Sequence, residues 1–260
     1  MTPRTNVLGV GVSAVDMADA LRAIEGWVEA RTPRYVCVTG VHGVMESQRD
    51  PELRRIHNAA GLVTPDGMPL VWLSRLAGHR HVRRVYGPDL MLAVCARSVE
   101  RGWRHFLYGG AEGVPELLAE RLGERFPGLE IVGVCSPPFR PLTPEEDTEI
   151  VTRIQRTRPD FVWVGLSTPK QERWMHAHVE RIGVPVLLGV GAAFDFHAGL
   201  KPQAPGWIQR AGLEWLFRML TEPRRLARRY LVNNPLFVAA VALQAIGLRR
   251  RELDPEPAGP

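Results

Sequence analysis

Arginines, and the loops that follow apolar runs, hold most of the reactive side chains of this sequence. Near the C-terminus Arg218, Arg225, Arg228 and Arg229 recur at spacings of seven, three and one. They sit among Leu213, Leu216, Phe217, Leu220, Leu226, Tyr230 and Leu231. A helical run of that composition can lie on an anionic membrane or fold over a phosphate-bearing substrate. Upstream, polar residues and glycines collect in six loops. These are Thr39 to His42, Pro65-Asp66-Gly67, Gly109-Gly110, Ser136-Pro137-Pro138, Ser167 to Glu172 with Lys170 and Gln171, and Gly191 to Asp195. The backbone amides of the Gly109-Gly110 loop, with Gly113, have the character of a diphosphate cradle. A glycine or proline in one loop marks a turn and little more. Six loops of the same kind point to a site for a sizeable phosphate-bearing ligand.

Each loop ends a predicted strand. Strands are expected at Val7–Val12, Arg34–Thr39, Gly61–Thr64, Arg104–Tyr108, Leu129–Cys135, Asp160–Gly165 and Val184–Val190. Between them the apolar spacing predicts helices at Met17–Ala30, Gly43–Asn58, Met68–Leu76, Gly87–Arg101, Val114–Phe126, Glu145–Arg158 and Lys170–Ile182. Such alternation predicts an α/β fold, a mostly parallel Rossmann-like sheet with helices on both faces. Ligands of open parallel sheets bind at the carboxyl ends of the strands, where these loops fall. Residues 1–210 are expected to form this core, 211–251 a basic amphipathic helical appendage and 252–260 a disordered tail. Within the appendage, Gly212 to Leu231 reads as one helical run. Pro235 to Leu248 suits a helix lying on a surface or one packed on the core, and it is short for a bilayer span of roughly 20 residues.

Composition narrows the function classes. The chain has 260 residues, of which 45% are hydrophobic and 23% charged, an ordinary globular balance. From Arg210 to Arg251 nine arginines face two glutamates, a local net of +7 against +5 for the whole chain. The basic character therefore belongs to the tail. Lys170 and Lys201 are the only lysines, which argues against a nucleic-acid binder. Cys37, Cys95 and Cys135 have neither disulfide-framework nor zinc-ligand spacing. Met1 to Asn6 runs into a strand-like segment without the regions of a signal peptide. No complete GxGxxG and no GxxxxGK[ST] run occurs, which disfavours NAD and P-loop chemistry. No DxD pair follows a strand, and Asp195 with His197 makes only a weak metal pair.

Taken in order, the short motifs form a recognisable set. They are Thr64-Pro65-Asp66-Gly67, Arg84 to Leu90, Phe106 to Gly110, Phe126 to Leu129, Pro137-Pro138-Phe139, Pro169 to Glu172, Gly189 to Asp195, Ala204 to Trp207, Leu213 to Arg218 and Glu222 to Tyr230. From Val7 to Leu231 the chain resembles the WecG/TagA/CpsF family of bacterial glycosyltransferases. That resemblance implies an inverting, metal-independent transferase with no cofactor. It would move a sugar, N-acetylmannosamine or another hexose, from a UDP-sugar to a polyprenyl-diphosphate-linked acceptor in cell-surface polysaccharide biosynthesis. It also implies a cytoplasmic protein held peripherally at the inner face of the membrane, with the anionic surface as a partner.

The resemblance distributes roles. Inverting transfer needs a base for the acceptor hydroxyl, and Asp66, on its tight turn, is the candidate. Without a metal, arginines and amides must stabilise the departing diphosphate. Arg84, Arg218, Arg225 and Arg228 match positions for that task or for the lipid diphosphate. Thr39 and Gln171 are expected to hydrogen-bond the donor. His42, Gly109, Gly110, Pro137, Pro138, Lys170, Glu172 and Asp195 complete the expected substrate contacts. Two positions depart from the family pattern. Thr39-Gly40-Val41 stands where Thr-x-Asn is common, with His42 as the expected replacement, and Gln203-Ala204-Pro205 stands for Arg-Ala-Pro. A competing reading is a non-catalytic nucleotide- or lipid-binding scaffold.

Overall fold

A computed structural model describes residues 2–248 and 251–253. Of the predicted disordered tail, 252–260, residues 254–260 lie outside the described residues, as do Arg249 and Arg250. The chain begins with β1 (Arg4–Val7), β2 (Val10–Ser13), α1 (Met17–Glu29) and β3 (Arg34–Thr39). It continues through α2 (Val41–Arg49), α3 (Pro51–Ala59), β4 (Leu62–Pro65), α4 (Met68–Leu76), α5 (Gly87–Arg101) and β5 (Arg104–Gly109). Then follow α6 (Val114–Arg125), β6 (Glu130–Cys135), α7 (Pro144–Thr157), β7 (Phe161–Gly165), α8 (Lys170–Ile182) and β8 (Val186–Gly189). The chain closes with α9 (Ala193–His197), α10 (Gly206–Arg210), α11 (Glu214–Thr221) and α12 (Pro223–Ala245). The six-stranded sheet has the order β4-β3-β8-β7-β5-β6, and β1 and β2 form a separate hairpin. The α/β class with a parallel sheet flanked by helices agrees with the sequence expectation.

The chain divides into two compact units. One comprises residues 17–38 and 86–201. Within it β3–β8, β8–β7, β7–β5 and β5–β6 pair in parallel. Phe161, Val162, Trp163 and Val164 of β7 and Val186, Leu187 and Leu188 of β8 are all buried. Continuous apolar runs of this kind belong to parallel strands covered on both faces. Helix α8 is held by a ring ladder. Tyr108 stacks on Trp174 at 4.3 Å and Trp174 on His178 at 4.4 Å. The far ring is fixed by Asp147 of α7, whose carboxylate lies 2.8 Å from His178 Nε2. That ladder sets the position of the N-terminus of α8, where Gln171 sits.

The other unit comprises residues 1–16, 39–85 and 202–260. Three of its elements differ from the sequence expectation. The predicted single strand Val7–Val12 is a hairpin, because Leu8 and Gly9 both take positive φ (55° and 85°) and reverse the chain. The predicted helix Gly43–Asn58 is two helices broken at Asp50, whose side chain caps α3 by accepting from the backbone N–H of Glu52 and Leu53 ahead of Pro51. The predicted run Gly212–Leu231 breaks at Glu222, and the second piece continues through Pro235 to Ala245.

The long helix α12 explains where the Pro235–Leu248 segment goes. Leu226, Asn233, Phe237 and Ala240 are buried along it, at helical spacing on one stripe. Asn233 accepts from Arg49 of α2 at 2.8 Å, and Gln244 accepts from the Leu8 backbone N–H at 2.8 Å. The helix thus clasps α2 and the hairpin turn. Its other side leaves Leu231, Leu236, Val238 and Leu243 exposed. Among the described residues no helix is long and apolar enough to cross a membrane.

Candidate active site

Asp66 follows β4 directly, and its backbone ties two loops together. Its N–H donates to the Thr39 carbonyl at 3.0 Å, joining the end of β4 to the end of β3. Thr39 itself is buried, packed where α2 begins. Over this turn lies Arg84. Its Nε donates to the Asp66 carbonyl oxygen, its Nη1 to Gln209 at 3.1 Å, and its Nη2 to both Asp66 Oδ1 at 3.4 Å and Glu214 at 2.6 Å. One guanidinium is therefore shared by two carboxylates, with the shorter contact going to Glu214 of α11. Arg218, one turn further along α11, is the next cation in the field of Asp66.

Desolvation dominates the electrostatics of Asp66. Burial, with a smaller push from Glu214, outweighs the pull of Arg84 and Arg218 and raises its carboxyl from the ordinary 3.8 to about 6. Its side chain is nevertheless 30% exposed, so the desolvated carboxylate still has a face open to a substrate. A carboxylate that ionises near neutrality and remains accessible has the attributes of a general base.

The other arginines of this unit separate into kinds. Arg225 is held by Glu222 of its own helix through two 2.7 Å contacts, and Arg228 is exposed. Arg229, one of the four spaced arginines but given no site role from the sequence, is half-buried, with no acceptor for its Nε among the described residues. Burial first, then Arg218 and Arg225, outweigh Tyr230 and Glu46 and lower it to about 10. A crowded cluster of cations prefers an anion nearby. His42, the expected stand-in for the family asparagine, turns toward α12. Its Nδ1 is 3.3 Å from Asn233 Nδ2 and 3.7 Å from Glu46.

The remaining predicted residues lie in the other unit. Gln171 and Glu172 open α8 and are almost fully buried, 3% and 1% exposed. Glu172 Oε1 accepts from Gln171 Nε2 at 3.1 Å and from Thr168 Oγ1 at 2.8 Å. Gln171 Oε1 and Glu172 Oε2 have no hydrogen-bond partner among the described residues. The Gln171 side chain lies against Gly189 and Gly191, where added Cβ atoms would meet it at 3.1 Å and 3.4 Å. Lys170 points to solvent.

Gly109 and Gly110 are explained by chain packing. A Cβ on Gly109 would stand 2.6 Å from the backbone of Gly165, its φ is 126°, and Gly110 N–H donates to the Gly165 carbonyl at 3.0 Å. Pro137 and Pro138 follow Ser136, whose hydroxyl donates to the Ala111 carbonyl at 3.0 Å and so pins the proline loop to the glycine loop. Asp195 and His197 diverge. Asp195 pairs with Lys201 at 2.7 Å, and His197 Nε2 lies 2.9 Å from the Pro88 carbonyl oxygen. Among the described residues no group of three or more His, Cys, Asp or Glu is placed to hold a metal ion.

Glu214, Gln209 and Asn233 are the residues that sequence reasoning missed, and Arg229 was named there only for its spacing. Glu214 carried one usable signal, its place four residues before Arg218 on one helical face.

Comparison with known proteins fits this arrangement. The chain is 31% identical over 196 residues to an N-acetylglucosaminyldiphosphoundecaprenol N-acetyl-beta-D-mannosaminyltransferase of Bacillus spizizenii, covering 75% of this chain and 74% of the relative. A Staphylococcus aureus protein of the same name is 28% identical over 243 residues, 93% of each chain. The family model described as glycosyl transferase WecG/TagA/CpsF matches residues 5–251, and the chain belongs to that glycosyltransferase family.

Proposed function

We propose that this glycosyltransferase inverts the anomeric carbon of a UDP-linked hexose as it transfers the sugar to a polyprenyl-diphosphate-linked acceptor. N-acetylmannosamine is the sugar named in the relatives and the first donor to test. The observation that carries this reading is Asp66, a desolvated carboxylate with an open face beside Arg84. In the step, Asp66 takes the proton of the acceptor hydroxyl. The hydroxyl oxygen bonds to the anomeric carbon from the face opposite the diphosphate. The carbon–oxygen bond to the diphosphate breaks, and UDP leaves with the electron pair. Arg84 and Arg218 supply positive charge for the leaving group, the role a metal ion plays elsewhere. Gln171 and the Gly109-Gly110 loop are donor contacts, with Gln171 Oε1 accepting from a hydroxyl or amide of the donor.

The appendage, residues 211–251, brings the enzyme to the inner membrane surface. The exposed leucines and valines of α12, with Trp207 and Leu220, form the apolar part of that contact, and Arg224 and Arg228 the basic part.

The test is release of UDP from UDP-N-acetylmannosamine, and from a panel of UDP-hexoses, with a polyprenyl-diphosphate N-acetylglucosamine acceptor in vesicles. Product is expected with a chelator present, and the rate should rise as pH increases through about 6, where Asp66 ionises. Donor binding without turnover across the whole panel would instead support the scaffold.

A further inference from the structure

The cluster around Arg84 contains a carboxylate with no assigned role. Glu214 opens α11 and takes the shorter of the two contacts made by Arg84 Nη2, 2.6 Å against 3.4 Å to Asp66. Its side chain is 12% exposed, so the pair is shielded from water. Arg84 is held in place by two further contacts, to the Asp66 carbonyl oxygen and to Gln209. The guanidinium is thus drawn off the Asp66 carboxylate without leaving its side.

From this geometry we infer that Glu214 is a positioning residue that keeps Asp66 a strong base by competing with it for Arg84. The inference rests on Asp66 being the base. An aspartate locked in a full ion pair with arginine is a poor proton acceptor, because the pair favours the ionised form. An aspartate with no cation nearby would leave the diphosphate unneutralised. Sharing one guanidinium between two carboxylates gives an intermediate state, with the cation present and the base less weakened than in a full ion pair. The charged groups acting on Asp66 are Arg84 from the segment after α4, and Glu214 and Arg218 from α11. The two α11 residues act in opposite directions from one helical face, so seating of α11 adjusts the basicity that burial gives Asp66. The appendage then does more than find the membrane, because its first long helix tunes the proton transfer.

Glu214→Gln keeps the shape and removes the charge. Both consequences lower the Asp66 midpoint, since a repelling anion is lost and Arg84 is freed toward Asp66. Titration of the full-length protein by carbon-13 carboxyl NMR, with the Asp66 signal assigned by its loss in Asp66→Asn, reads this directly. The midpoint is expected to fall by roughly one pH unit or more in Glu214→Gln. Glu214→Asp, which keeps the charge but draws it back from Arg84, should lower it less, and it serves if the Gln variant does not fold. In the transfer assay with UDP-N-acetylmannosamine, the acid limb of kcat should move down with the midpoint. The neutral-pH kcat should fall several-fold while KM for the donor holds. An Asp66 midpoint that stays at the wild-type value or rises in Glu214→Gln overturns the inference. Full activity in Asp66→Asn would overturn the base assignment instead, whatever the titration shows.

Discussion

The two units each place a polar pair just after a buried strand, and they treat it in opposite ways. After β4, Asp66 is surrounded by Arg84, Glu214 and Arg218, and 30% of its side chain stays open. After β7, Gln171 and Glu172 are sealed to 3% and 1%, and Glu172 spends one oxygen holding the Gln171 amide and Thr168. The first arrangement adjusts a proton affinity. The second fixes the orientation of a neutral amide and leaves its carbonyl oxygen, beside Gly191, without a partner among the described residues. Charged neighbours suit a group that must change protonation in a reaction cycle. A buried, oriented amide suits one that must discriminate by hydrogen bonding, because an unmatched acceptor there is costly. On the function proposed above, the contrast separates chemistry from recognition, and each half can be broken alone.

The largest effect is expected from Asp66→Asn. It should lower kcat by roughly 10²- to 10⁴-fold, the usual worth of a general base, and leave donor affinity nearly unchanged. The same variant tests the burial of the charge. The folded pKa is raised to about 6 from 3.8, so the native state holds its proton longer than the unfolded chain. Stability from this group is fully present below the unfolded value and is lost as pH rises through the folded one. Wild type should therefore lose stability relative to Asp66→Asn between about pH 4 and pH 6, followed by thermal melts at each pH. A parallel pH dependence in both proteins would show that the carboxylate is not desolvated.

Gln171→Leu comes next. It removes the unpaired acceptor while keeping the bulk that packs on Gly189, so donor binding should weaken by about 1–3 kcal/mol, read by calorimetry with the UDP-sugar. The loss should appear in KM for the donor more than in kcat. If kcat carried the loss and binding held, Gln171 would belong with the chemistry and the division between the two units would fail.

Much of this organisation was legible in the sequence, and the illegible parts share a cause. The strands of the parallel sheet announce themselves because Phe161 to Val164 and Val186 to Leu188 are apolar without interruption. Asp66 and Gln171 could be nominated because their loops follow such runs. The breaks at Asp50 and Glu222 each precede a proline, a signal that the strong apolar periodicity on both sides overrode. The Leu8-Gly9 reversal was hidden inside an apolar run, since nothing local marks a leucine with positive φ. The partners of Arg84 could not be read at all. Glu214 lies 130 positions away and Gln209 lies 125, and no local pattern encodes a contact at that distance. Among the tail arginines, spacing alone does not separate exposed Arg228 from half-buried Arg229. That depends on which stripe of α12 meets α2, and Leu226, Asn233 and Phe237 decide it.

That stripe also frames the smallest predicted effect. Among the described residues, twelve of the fifteen exposed large apolar side chains belong to the unit that carries Asp66, and the other unit contributes Val99, Phe139 and Leu200. An apolar surface gathered on one unit marks an interaction face. Val238 belongs to it at 66% exposure, while its neighbour Phe237 is 4% exposed and packs inward. Val238→Asp adds a charge where the face would meet lipid and touches none of the packing that holds α12 down. It should weaken sedimentation with anionic vesicles several-fold and leave the melting temperature and the rate on a soluble, short-chain acceptor unchanged. Substitution at Phe237 would confuse the two, because it opens the core beneath the helix. Unchanged vesicle binding in Val238→Asp, with binding still lost at high salt, would assign the surface contact to the arginines alone. The exposed apolar side of α12 would then need a protein partner to account for it.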